Sequence, residues 1–294
     1  MTLKWFSDRK EILFWGVAGL CLLGLSFLWT FPYEALHLRA LAELHRSTGM
    51  EVRVTDWGAE LPLGLKWRNI TLSKPELEPI QIDFLRAKVH LGQALTGKLR
   101  VDVEGRIDEG NSSAGLAKAT VKAPSFTLDN AVTVKGEFQQ IDLSRILRPH
   151  VTNGLVNGNF SHRLFSAQGT AGPIEGEGTW RAEVHDLAVE DIPAGNGRTL
   201  ALAFTNISAG LSCKNRLCTV TELKGDGIDG SFTGEGTITL RRPMEQSQLA
   251  LAITVIPGAG FASKAAPLGI PPIPPGTPMT VKLVGTLAQT RLAL

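Results

Sequence analysis

From Glu51 almost to the C-terminus, apolar and polar residues alternate with a period of two, and nothing else in the sequence constrains the fold as tightly. Val52 and Val54 alternate with Glu51 and Arg53, and Ile80, Ile82 and Phe84 with Gln81 and Asp83. Leu99, Val101 and Val103 alternate with Arg100, Asp102 and Glu104, and Leu249, Leu251, Ile253 and Val255 form another such run. Phe126 and Leu128, Val132 and Val134, Leu202 and Phe204, and Ile238 and Leu240 repeat the pattern. Successive side chains of a strand point to opposite faces, so each run predicts a strand with one apolar and one polar side, as in antiparallel sheet. Gly, Asn, Asp and Pro interrupt the runs at hairpin spacing. No linker occurs before residue 260, which favours one elongated, continuous sheet over two separate globules. Asp142 to Pro149 reads as a short helix with an aspartate cap and a proline stop. Ala266 to Pro278 is too rich in proline for anything but an extended or polyproline-like path. The predicted class is therefore mainly β, with one or two short helices.

A sheet with one apolar face must curl on itself, pack against a partner or hold a hydrophobic ligand. The period does not choose among these. Leu99, Val101, Val103, Leu249, Leu251 and Ile253 are the expected lining of that face. If the face closes into a core, an aspartate at Val101 or Leu251 should unfold the domain, with the larger effect expected at Leu251.

Ahead of the alternating region, Ile12 to Phe31 is a twenty-residue run without a charge. A helix of that length crosses the roughly 30 Å of bilayer hydrocarbon. Trp15 and Trp29 stand near its ends, where indoles favour the headgroup layer, and Lys4, Arg9 and Lys10 precede it. The cation count places residues 1–11 in the cytoplasm and the rest of the chain across the membrane. A cleaved signal peptide is the rival reading. The apolar run is long for one, and the nearest small-x-small triplet, Ala40-Leu41-Ala42, lies well beyond it. Residues 32–49 then predict an amphipathic helix, with Pro32 in its first turn and Gly49 as its stop, placed either on the bilayer surface or against one end of the domain. The expected organisation is thus a tail (1–11), an anchor (12–31), a membrane-proximal helix (32–49), a β-domain (50–260) and a proline-rich segment with a terminal strand (261–294).

Cys21 lies inside the apolar run, while Cys213 and Cys218 flank Lys214-Asn215-Arg216-Leu217 between strand-like stretches. They are read either as a disulfide across the neck of a hairpin, which needs an oxidising compartment, or as two unpaired thiols. The former is the expectation. No second cysteine or histidine pair stands near enough for a zinc site.

Catalytic chemistry leaves no trace in the sequence. The six histidines form no HxH or HExxH group, and GxSxG and P-loop patterns are absent. Gly225-Asp-Gly-Ile-Asp-Gly230 lacks the glutamate of a calcium loop and the lysine of a phosphate loop, and reads as a hairpin turn. A net charge of +2 with a single tyrosine gives no basic stripe for nucleic acid. No enzyme activity, cofactor or metal is expected, and no catalytic residue is assigned.

Four stretches carry a family resemblance. They are Thr30-Phe-Pro-Tyr-Glu-Ala-Leu-His-Leu-Arg-Ala-Leu41, Leu61-Pro-Leu-Gly-Leu-Lys-Trp-Arg-Asn-Ile-Thr-Leu72, Leu223 to Leu240 with Pro243 and Ser247 to Leu251, and the proline-rich stretch closing with Val281 to Leu287. Together they resemble the type II secretion system protein N family (GspN), along nearly the whole chain. They are also similar to AsmA-like and repeating β-groove proteins, in which a curved sheet forms a hydrophobic trough for lipid. The first resemblance implies a single-pass protein of the bacterial inner membrane. Its β-domain would lie in the periplasm as an accessory, non-enzymatic part of the type II secretion system, partnered by other components of that machine. The second implies a lipid-binding or lipid-transfer module.

Overall fold

The computed structural model describes residues 14–293 apart from 20–21, 25, 27–28, 75–76, 108–114, 126–130, 148, 166–175, 196–197, 242–245, 266–273, 275 and 288. Helix α1 spans Tyr33–Thr48 and is followed by β1 (Glu51–Ala59), β2 (Gly64–Lys74), β3 (Leu77–Val89), the single turn α2 (Leu91–Ala94), β4 (Leu99–Arg106) and β5 (Leu116–Ala123). Next come β6 (Val132–Asp142), a 3₁₀ turn (Leu143–Arg145), β7 (Val151–Leu164), β8 (Gly176–Gly195), β9 (Arg198–Lys214), β10 (Leu217–Gly227) and β11 (Gly230–Thr239). Finally β12 (Gln248–Pro257), α3 (Ala259–Ala265), β13 (Met279–Thr286) and β14 (Thr290–Ala293) close the order.

All the strands form one sheet of 14, in which each pairs antiparallel with its neighbours in sequence, so the order is β1 through β14 without a crossover. β1 and β14 are not paired to each other, and the sheet is open. The region past residue 260 was expected to hold one strand. It holds two, and both extend the same sheet. Asp142 does cap a helical turn, its carboxylate accepting from Ser144 N at 2.9 Å, but that turn is 3₁₀ and three residues long. Most of the proline-rich stretch 266–278 lies outside the described residues.

The tail (1–11) also lies outside the described residues, as does part of the anchor. Residues 14–19 and 22–24 are helical, and Phe14, Trp15, Leu22, Leu23 and Trp29 are exposed. Among the described residues no helix is long and apolar enough to cross a membrane.

The sequence left the place of α1 open, and the fold settles it. The helix docks on the first three strands. The buried residues Leu65, Trp67 and Ile70 form a cluster there with Tyr33 and Ala40 from α1 and with Val52, Val54, Leu72, Ile82, Leu85 and Ala87. Tyr33 donates its hydroxyl to Pro62 O at 3.2 Å, which fixes the start of α1 at the β1–β2 turn. Gly49 ends the helix in the left-handed region (φ 67°), where a residue without a Cβ is favoured.

His37 joins helix and sheet. Its Nδ1 accepts from Trp67 Nε1–H at 2.8 Å, and its ring stacks on Trp57 with centroids 4.4 Å apart. Burial pushes the His37 imidazole below its ordinary value, with Glu34 opposing. The unfolded chain therefore binds more protons than the folded one just below the ordinary imidazole pKa of about 6.5. The contribution of His37 is complete above that value and lost as pH falls below it. His162, also pushed down by burial, acts in the same direction. We expect the His162→Gln variant to melt lower at pH 5.5 than at pH 7.5, with α1 amides losing exchange protection at the lower pH. Equal melting at both pH values would refute the role given to His37.

Candidate binding face

Strand register converts the alternation into rows that run across the sheet, because directly paired residues share a face. One row reads Trp57, Trp67, Leu85, Gly105, Ala117, Phe138, Gly158, Ala182, Ala209 and Leu223 from β1 to β10. Gly234, Ile253 and Val281 continue it through β13, with Leu223 lying against Gly234. Two residues along, a second row reads Ala87, Val103, Ala119, Gly136, Phe160, Trp180, Leu211 and Val220. A third holds Val89, Val101, Val121, Val134, His162, Gly178, Cys213, Cys218, Ile238 and Leu249. Apart from His162, every member is apolar or glycine.

The opposite face is charged. Its central row reads Lys66, Arg86, Glu104, Lys118, Glu137, Asn159 and Arg181. Glu104 accepts from Arg86 at 2.6 Å and from Arg106 at 3.1 Å. Asp102 is bound by His90, by Arg100 at 3.1 Å and by Thr120 at 2.9 Å. Burial pushes the Asp102 carboxyl up, but these hydrogen bonds and the Arg100 charge outweigh it and hold it at about 2. Such ladders suit a hydrated face and its charge balance.

Val101 and Leu249 fall in one row, Val103 in the next, and Ile253 in the row of Trp67. Leu99 pairs with Ala123 two residues from Val101, and Leu251 pairs with Gly236 and Leu283 on the same face. All six expected lining residues therefore share one side of the sheet, and all six are half-buried. Val101 and Leu251 are both half-buried.

Phe138, Phe160 and Trp180, on β6, β7 and β8 in the middle of the face, belong to none of the alternating runs read from the sequence. Phe160 and Trp180 stack with centroids 4.6 Å apart, and Trp180 remains 41% exposed, so the aromatic centre of the face is not a closed core. The rings also explain the glycines. Asn157-Gly158 and Gly176-Glu-Gly178 have the composition of turns, yet both lie within strands, as do Gly234 and Gly236. Phe138 covers Gly158, Phe160 covers Gly136, and the His162 ring lies over Gly178. A ring laid across a glycine of the next strand shields backbone that a side chain would otherwise cover. A Cβ on Gly158 would come within 2.3 Å of Phe138 and 2.4 Å of the Arg181 carbonyl oxygen. Gly158→Ala is expected to cost about 1–3 kcal/mol by crowding. At Gly92, where a Cβ meets nothing within 4 Å, the same change should leave the urea midpoint nearly unmoved. Equal midpoints in the two variants would show that the ring does not cover Gly158 closely.

Strands β9 to β11 are fastened at both of their ends. Cys213 and Cys218 pair in register across the β9–β10 hairpin and are joined Sγ to Sγ at 2.06 Å, both buried. At the opposite strand ends, α3 packs on the β10–β11 turn. There the Asp229 carboxylate, wholly buried, accepts from Lys264 Nζ and from Ala203 N, each at 2.6 Å. The Gly225 to Gly230 stretch forms this hairpin turn, with Ile228 and Asp229 at its tip. Among the described residues no group of three or more His, Cys, Asp or Glu is placed to hold a metal ion.

Comparison with protein-family models, with curated proteins and with solved structures finds no match for the chain.

Proposed function

We propose that this chain is a non-enzymatic accessory component of the type II protein secretion system, anchored in the bacterial inner membrane by residues 12–31, with its sheet in the periplasm. The observation that carries this reading is where the family-like stretches fall. The run Thr30 to Leu41 enters α1, Leu61 to Leu72 builds β2 with the buried Leu65, Trp67 and Ile70, and Leu223 to Leu240 forms the β10–β11 hairpin around Asp229. The resemblance thus rests on residues that fasten α1 to the first strands and build the turn under α3, beyond a shared strand composition. The pairing of Cys213 with Cys218 fits an oxidising compartment. Deleting codons 33–294 in the parent bacterium should leave type II substrates in the periplasm while other export continues. Unchanged secretion by the deletion strain would count against the assignment.

A second function is favoured by a separate observation, the half-buried apolar rows that cross the sheet with an exposed Trp180 at their centre. On this reading the face binds lipid acyl chains, Leu99, Val101, Val103, Leu249, Leu251 and Ile253 among their contacts. Burying apolar surface of the chains against the face drives the binding, at about 25 cal/mol per Å².

A further inference from the structure

In an up-and-down sheet every odd-to-even connection lies at one end of the strands. Tyr33 is tied to the β1–β2 turn, so the anchor leaves the domain at the end that also carries the β3–β4, β5–β6, β7–β8 and β9–β10 connections. That end carries Lys98, Lys122, Arg163, Lys214 and Arg216 at or beside its turns against the carboxylates of Glu60 and Glu177, an excess of cations among the described residues. At the opposite end Asp142, Glu190, Asp191, Asp226 and Asp229 stand with Arg106, Arg145 and Lys264.

A cavity of about 700 Å³ opens at the basic end across β4 to β7. Lys98, Lys122 and Arg163 line it together with Thr133, Leu99 and Ala123. Leu99 and Ala123 belong to the apolar face, while Lys122, Thr133 and Arg163 are paired on the polar face. The cavity therefore wraps the strand ends and joins the two faces. No ion pair engages Lys98, Lys122 or Arg163 among the described residues. Arg163 lies 5.6 Å from the centre of the Phe165 ring, and Glu177, its partner across β8, is 3.9 Å from Lys214 Nζ. Three cations that have no counter-ion among the described residues, beside a threonine hydroxyl and the end of an apolar face, match an anionic group carried on a hydrocarbon chain.

We propose that this cavity is a headgroup site for a phosphate-bearing anionic amphiphile whose chains lie on the apolar face. The inference rests on the lipid-binding reading and adds to it a place and a charge requirement. The fluid membrane leaflet at the anchor is the source that the position of Tyr33 favours.

Native mass spectrometry of the full chain, delipidated in a nonionic detergent and offered equal phosphatidylglycerol and phosphatidylcholine, provides the test. Wild type should carry predominantly phosphatidylglycerol. The variant Lys98→Gln/Lys122→Gln/Arg163→Gln should lose that preference, roughly fivefold for each cation removed, while still binding phosphatidylcholine. Lys118→Gln/Lys135→Gln, on the polar face, should keep it. Equal retention of the two lipids by wild type, or an unchanged preference in the triple variant, would overturn the headgroup site alone. Displacement of phosphatidylglycerol by equimolar inorganic phosphate would overturn it in favour of a free-anion site. Retention of neither lipid by wild type would remove the lipid-binding reading itself.

Discussion

Replacing Trp67 with alanine is expected to cost about 3–5 kcal/mol, the range for emptying a buried indole site. Trp67 is 6% exposed and touches the cluster that fastens α1 to β1, β2 and β3. The variant also strips His37 of its hydrogen-bond donor and leaves a buried ring nitrogen to be satisfied. The loss should not spread evenly. Amides of α1 and β1 should exchange first, since strands further along the meander touch only their own neighbours, as repeats do in a quasi-one-dimensional array. Urea melts and hydrogen exchange on the variant provide the check. A loss below about 1 kcal/mol, the usual result of surface substitution, would contradict a core at this end.

The second large effect is expected at the far end of the strands. Lys264→Ala should destabilise by about 3 kcal/mol, because it leaves the carboxylate of Asp229 buried beside only the Ala203 amide. The figure sits at the low end for a broken buried pair since the lysine side chain is 38% exposed. Adding Asp229→Asn should recover part of the loss by removing the stranded charge while an amide oxygen still accepts from Ala203. No recovery in the double variant, judged by urea midpoint, would mean that α3 is held by packing around Ala265 instead.

The period of two made much of this molecule legible. The strands around Leu99 to Val103 and Leu249 to Val255 could be read directly, and the side on which their apolar residues lie followed from it. Alternation says nothing about register, however. It could not show that Val101 and Leu249, far apart in sequence, belong to one row across the sheet. Glycine is ambiguous in sequence for a physical reason. In isolation Asn157-Gly158 is turn chemistry, and only the neighbouring Phe138 ring reveals that the missing side chain is replaced from the next strand. His37 was unremarkable in sequence because its partners, Trp57 and Trp67, become neighbours only when α1 folds back over β1. The pairing of Asp229 with Lys264 spans 35 residues and carries no local signal. The cationic cavity was hidden for the same reason, since Lys98, Lys122 and Arg163 sit beside three different turns.

On the lipid-binding reading proposed above, the apolar face stays open and receives hydrocarbon, with no closed core beneath it. The most direct test of that claim is to purify the full chain carrying Val101→Asp or Leu251→Asp, then measure the melting midpoint and the co-purifying lipid on the same sample. A half-exposed site lets the new carboxylate remain hydrated, so both variants should melt within a few degrees of wild type, a shift of about 1 kcal/mol or less for a domain this size. Both should lose most of the lipid that wild type carries. Cooperative unfolding of either variant at room temperature would contradict the claim and place these residues in a closed core, as would lipid content unchanged from wild type in two well-folded variants.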